Sequence, residues 1–204
     1  MNARILLALI PAFLAGCAVP YLQYLPHMPY RLKKAGTTSV AKGAFTVRPS
    51  SAWNVVPKEA SRTRWEEVWT QNGPLLDTVA FLGGMPEGET VVVQNKKDEQ
   101  RVPLFRANMS PEDLASMVEA SYRIRGVTVF NVESVNPVEF LGGQGIRVRF
   151  NYAPSDGITK RGDCVLRIID KKLYVMKLEG VSSHYFSAAV PEFELLVTTA
   201  ALPK

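Results

Sequence analysis

Histidine and cysteine are both scarce. His27, His184, Cys17 and Cys164 are the only examples in 204 residues. A transition-metal centre needs three or four ligands at matched spacing. No His-x-His, Cys-x-x-Cys or His-Glu-x-x-His occurs, so neither a metal nor another cofactor is expected. Two cysteines also cannot build the disulfide framework of a small secreted scaffold. Charge of one sign is weak: 24 basic against 19 acidic residues leave a formal +5. That surplus is too small to argue for nucleic acid and fits loose attraction to anionic headgroups at least as well. The 14 glycines and 14 prolines follow no period, which excludes collagen-like and low-complexity chains. What is present is an ordinary globular composition, 47% hydrophobic and 21% charged. A disordered chain would be poorer in apolar residues. The length fits one domain.

The N-terminus is the most informative stretch. Arg4 is a short positive start, and Ile5–Leu14 is a mostly apolar run of ten residues. That length suits the core of a secretory signal and falls short of the about 20 residues needed to span a bilayer. Ala15 and Gly16 then precede Cys17. Leu14-Ala15-Gly16-Cys17 resembles the lipobox of bacterial lipoproteins. The resemblance implies diacylation of the Cys17 thiol, cleavage before it and acylation of the new amine. Residues 1–16 are then a signal peptide, and Cys17 is the lipidated first residue of an envelope protein held by its acyl chains. Ala18 stands where an Asp would resemble the inner-membrane retention signal. Its presence favours the outer membrane, facing the periplasm. The opposing reading is a plain secretory signal with Cys17 an ordinary residue. Two or more acyl chains anchor stably where one does not. With Cys17 lipidated, Cys164 has no partner. Its apolar neighbours Val165 and Leu166 suit a small buried hydrophobe better than a reactive thiol.

Residues 17–43 read as the lipidated cysteine and a tether. Pro20, Pro26 and Pro29 interrupt any helix. Tyr21, Tyr24 and Tyr30 interleave with Arg31, Lys33 and Lys34, a mixture suited either to a headgroup layer or to a solvated linker. Residues 44–204 read as one globular domain. Phe45–Val47, Ala52–Val56, Trp65–Thr70, Leu75–Leu82, Thr90–Gln94 and Val127–Val135 carry strand patterns. Ser110-Pro111-Glu112-Asp113 opens a helix, with Ser as cap, Pro at the first turn and acids at the positive end of the dipole. Asn136-Pro137 reads as a turn. Ile146, Val148, Phe150 and Tyr152 alternate strictly with Arg147 and Arg149. Cys164–Ile169 and Leu173–Leu178 pair as a hairpin across Asp170-Lys171-Lys172. Phe186, Ala189, Val190, Phe193, Leu196, Val197 and Ala200 share a helical stripe, with Ser182 or Ser183 as cap and Pro191 as start or kink. Strands joined by short turns argue for an antiparallel sheet covered by helices, an α+β sandwich.

The order of these pieces resembles the PsbP/Mog1-like fold. The likeness runs through the Ala52-Trp53 and Leu75–Leu82 strands and the Pro111–Tyr122 helix. It continues in Phe140-Leu141-Gly142 with Gly145-Ile146-Arg147, then Arg161-Gly162-Asp163, Leu173-Tyr174 and the Tyr185-Phe186…Phe193 helix. The chain is also similar to a group of proteobacterial lipoproteins. The resemblance implies an α/β/α sandwich over most of residues 44–200, a fold that serves diverse binding and accessory roles and so carries little function by itself.

Candidate chemistry is thin. A Cys164/His184 nucleophile pair lacks any local signature. Glu66 and Glu67 are strand neighbours and face opposite sides. Gly142-Gly143-Gln144-Gly145 feeds a strand, where a phosphate loop would open a helix. Arg147, Arg149, Lys160, Arg161 and Arg167 are candidates for a basic binding face, set against a merely solvated one. Such a face would take an anionic ligand or an acidic envelope partner. The expectation is a non-enzymatic binding or accessory lipoprotein. A lipid-anchored hydrolase or a structural subunit of an envelope assembly are the alternatives.

Overall fold

Strict alternation makes Gln144–Ala153 a ten-residue strand. Its period of two sends Val148, Phe150 and Tyr152 to one face and Arg147 and Arg149 to the other. The structure is a computed structural model that describes residues 30–58, 63–93, 101–154 and 156–203. The signal segment, Cys17 and His27 lie outside the described residues. In chain order the elements are β1 (Arg31–Lys33), β2 (Thr38–Val40), β3 (Phe45–Val47), β4 (Trp53–Val55), β5 (Glu66–Thr70) and β6 (Asp77–Pro86). Helix α1 (Pro111–Arg123) follows, then β7 (Val129–Glu139), β8 (Gln144–Ala153), β9 (Lys160–Ile169), β10 (Lys172–Val181) and helix α2 (Tyr185–Thr199).

Eight strands form one antiparallel sheet in the order β1-β4-β5-β6-β10-β9-β8-β7, and β2 pairs with β3 in a separate ribbon. Each face of the large sheet carries its own core. On one, Met117 and Tyr122 of α1 pack with Met85, Phe105, Phe150, Cys164 and Leu173. On the other, Phe193 and Leu196 of α2 pack with Phe45 of the ribbon and with Trp53, Trp69, Phe81, Val165 and Met176. The result is the expected α+β sandwich, with helices on both faces of an antiparallel sheet.

Local chemistry explains the turns. Asp170 and Lys171 have φ of 48° and 59°, the paired left-handed conformation that matches hairpin twist. Leu141 and Gly142, at 52° and 77°, do the same between β7 and β8. That turn replaces the one expected at Asn136-Pro137. β7 runs on to Glu139, with Pro137 opposite Ile146. It is an edge strand, where a proline's missing donor is tolerated. Thr90–Val93 form no strand. The Thr90 hydroxyl donates to the Val92 carbonyl at 2.6 Å, a local bond that competes with ladder pairing. Residues 31–43, read from sequence as tether, contain β1, β2 and the buried Val40 and Ala41. β1 and β2 lack the apolar alternation that marks β3 and β4, strands of the same length. α2 begins after His184, which makes no side-chain cap bond, and continues through Pro191.

Candidate functional site

Strand alternation aims Arg147, Arg149, Arg161 and Arg167 at the α2 side and Lys160 at the α1 side. Lys160 lines a small recess there with Tyr152 and Glu179. The four arginines are brought to one face, and each is tied to a neighbour. Arg147 donates through Nε and Nη2 to the two oxygens of Asp163, both at 2.7 Å, and through Nη1 to Glu194 Oε2 at 3.1 Å. Arg149 Nε donates to Asp163 Oδ2 at 3.1 Å. Asp163 is 2% exposed. Burial works to lower the Arg147 guanidinium, but the bonds to Asp163 and Glu194 outweigh it and hold the group above its ordinary value. Arg161 donates to Glu133 at 3.1 Å. Asn151 donates to the same carboxylate and, more than Arg161 does, holds Glu133 below the usual range against a burial effect. Arg167 Nη1 donates to the Phe140 carbonyl at 2.9 Å and also reaches that of Leu141. These bonds fasten α2 and the β7–β8 turn to the sheet.

Cys164 and His184 do not meet. Cys164 belongs to the α1-side core, while His184 is exposed at the start of α2, against Tyr185. Burial, with Asp163 and Glu179 adding to it against Lys177, pushes the Cys164 thiol up to about 12. Beside it, Lys177 lies 2.9 Å from Glu179 Oε2, and the Tyr152 hydroxyl donates to Glu179 Oε1 at 2.7 Å. The Lys177 ammonium also stands 5.1 Å from the Tyr122 ring centre. This is a largely buried polar network, costly to disturb. Among the described residues no group of three or more His, Cys, Asp and Glu is placed to hold a metal ion.

Among the described residues, two further concavities are much larger than the recess at Lys160. A groove of about 490 Å³ runs between the start of α1 and strands β7–β9, past Leu114, Val135, Ile146 and Ile168. A cleft of about 290 Å³ lies at the β1 side of the sheet, lined by Arg31, Lys42, Val55, Lys58 and Glu67. Sequence reading missed the second because its cations come from β1, the turn after β2 and the loop after β4, with no shared spacing. Glu194 was missed for the same reason, since its partner Arg147 lies on a different element.

The chain matches no protein-family model and no curated protein. Among solved structures it is similar to the cyanobacterial PsbP of Synechocystis sp. PCC 6803. The TM-score is 0.57 at 9% identity, covering 87% of this chain and 95% of that one. It also aligns with the Saccharomyces cerevisiae Ran-binding protein Mog1p at TM-score 0.46 and 11% identity, over 86% of this chain and 96% of that one. LpqN, involved in cell envelope biogenesis of Mycobacterium tuberculosis, aligns at TM-score 0.43 and 10% identity, over 89% and 96%. The first likeness establishes a PsbP-like fold and leaves the role to the chain's own residues.

Proposed function

We propose that this chain is a lipid-anchored envelope protein whose body binds a partner or ligand and carries out no chemistry of its own. The observation that carries the reading is Leu14-Ala15-Gly16-Cys17 directly behind the apolar run Ile5–Leu14. In this reading residues 1–16 are removed and Cys17 bears the acyl chains. Residues 18–29 then join the anchor to the body, and residues 30–203 stand in the periplasm against the outer membrane. Nothing in the described residues duplicates the anchor: no helix there is long and apolar enough to cross a membrane. The state of the ionisable groups supports a binding role. The sheet arginines are spent on internal bonds, the thiol is buried and His184 stands apart from it. What stays accessible is surface: a groove of mixed polar and apolar lining beside α1 and a cleft with three cations and two acids beside β1.

The test is the anchor. Cys17→Ser, expressed in a bacterium that processes lipoproteins, is expected to lose palmitate labelling and to leave the membrane fraction. Native protein whose intact mass is that of an unmodified chain from Met1 would sink the reading. Crosslinking the native protein in its envelope then identifies the partner.

A further inference from the structure

We propose that the cleft bounded by Arg31, Lys42 and Lys58 seats the phosphate headgroups of an anionic phospholipid surface, so that the β1 edge of the sheet lies against the membrane. The inference deepens the anchored reading and rests on it for its choice of occupant.

The cleft's cations differ from those of the sheet. Arg31, Lys42 and Lys58 are all exposed, and none makes an ion pair with a described residue, whereas Arg147, Arg149 and Arg161 all do. Two acids, Glu66 and Glu67, line the cleft with the three cations. Glu67 is committed to the fold: its Oε1 accepts from Trp69 Nε1 at 2.8 Å and its Oε2 from the Ala41 backbone N–H at 3.1 Å. The cations outnumber the acids, and among the described residues neither Glu66 nor Glu67 forms an ion pair with them. The turn that carries Lys42 is held in an unusual conformation. Ala41, Lys42 and Gly43 have φ of 49°, 59° and 85°, a left-handed run that side-chain-bearing residues rarely adopt. The Glu67–Ala41 bond fastens one end of it, and Lys42 lines the cleft with Arg31.

The occupant follows from what surrounds the cleft. β1 is the outermost strand, so among the described residues one side of its backbone has no partner strand. The same edge exposes Leu32 at 59% and Tyr30 at 39%, with Lys34 next to them. Apolar and aromatic tips beside cations suit the boundary between headgroups and acyl chains. A soluble anion would need the cations alone. The edge is also the first part of the body after the anchor. Thirteen residue steps separate Cys17 from Tyr30, at most about 45 Å of extended chain, so a bilayer holding Cys17 is always within reach. An acyl anchor and a basic patch acting together are the combination that gives stable attachment.

The experiment uses the natively produced protein, its intact mass read first. It is reconstituted into vesicles of phosphatidylcholine alone and of phosphatidylcholine with phosphatidylglycerol, and backbone hydrogen exchange is followed through β1 and the turn at Lys42. In the anionic vesicles the outward amides of β1 are expected to exchange at least about fivefold more slowly, the factor that ~1 kcal/mol from one cation near an anionic surface supplies. High salt removes the difference. Arg31→Ala with Lys42→Ala and Lys58→Ala abolishes it, while Arg31→Lys with Lys42→Arg and Lys58→Arg keeps it. A distant triple, Arg106→Ala with Lys171→Ala and Lys172→Ala, removes as much charge and also keeps it. Equal exchange in the two vesicle types overturns the proposal and points to an acidic protein in the cleft. Equal loss in the distant triple overturns it too, since general charge is then enough. An intact mass without acyl chains defeats the anchored reading instead. The vesicles are then added to the same protein, and the contrast between lipid mixtures decides the cleft by itself.

Discussion

Cys164 is 1% exposed and stands opposite Lys177 across the β9–β10 pair. The apolar run around it already marks it for burial, because a free cysteine behaves as a small hydrophobe. What the run does not show is how far burial suppresses its acidity. The folded thiol is pushed up from 9.0 to about 12. Between those values the folded chain keeps a proton that the unfolded chain has released. Stability is therefore fully present below pH 9 and is lost as pH rises toward about 12. A one-proton difference has a limiting slope of ~1.4 kcal/mol per pH unit. The informative quantity is a difference between the variant and the parent protein. Cys164→Ala is expected to flatten the fall in urea-unfolding free energy across this window. A slope equal to that of the parent protein would remove the thiol from the account. A thiol reagent at neutral pH should modify Cys164 only at the rate of unfolding.

The two helices show which elements can be read from sequence. The start of α1 is written in four adjacent residues. Ser110 Oγ accepts from the Asp113 N–H and Asp113 Oδ2 accepts from the Ser110 N–H, both at 3.1 Å, with Pro111 at the first turn. Such a cap needs no tertiary information. α2 has no comparable start, and its attachment comes from afar. Asp163 of β9, Arg147 of β8 and Glu194 of α2 meet only once the sheet is built. In the sequence these look like scattered surface charges, and the basic-face reading followed from that. Asp163→Asn replaces the buried carboxylate with an amide and leaves Arg147 short of charge. The expected loss is about 3 kcal/mol, the scale for breaking a buried pair from one side. Hydrogen exchange should rise first in α2. Arg147→Met combined with Asp163→Leu should recover a good part of the loss, because the charges that lose a partner, Glu194 and Arg149, are 40% and 46% exposed and can be hydrated. A double variant no more stable than Asp163→Asn would mean that the pair contributes its attraction outright.

At the scale of the whole molecule, strand existence was legible and strand neighbourhood was not. β8, β9 and β10 declare themselves by alternation and short turns. The joining of β6 to β10, and of β1 to β4, depends on pairings remote in sequence. That order matters, because one sheet serves two cores. Gly162 and Asp163 are adjacent on β9 and face opposite ways. A Cβ at Gly162 would stand 2.1 Å from the Phe150 ring. That ring is held at 4.8 Å from Phe130 and 5.1 Å from Tyr122 on the α1 side. Asp163 serves the α2 side. Gly162→Ala therefore strains one core, by about 1–3 kcal/mol on the scale of overpacking, and Asp163→Asn weakens the other. If the sheet couples the faces, each variant lowers the midpoint of a single calorimetric transition whose van't Hoff and calorimetric enthalpies agree. Far-ultraviolet and tryptophan signals should move together, since Trp53 and Trp69 lie in the α2-side core. If Gly162→Ala splits the transition and leaves the tryptophan signal at its original midpoint, the two cores unfold separately, and the sheet is a shared wall without being a shared unit.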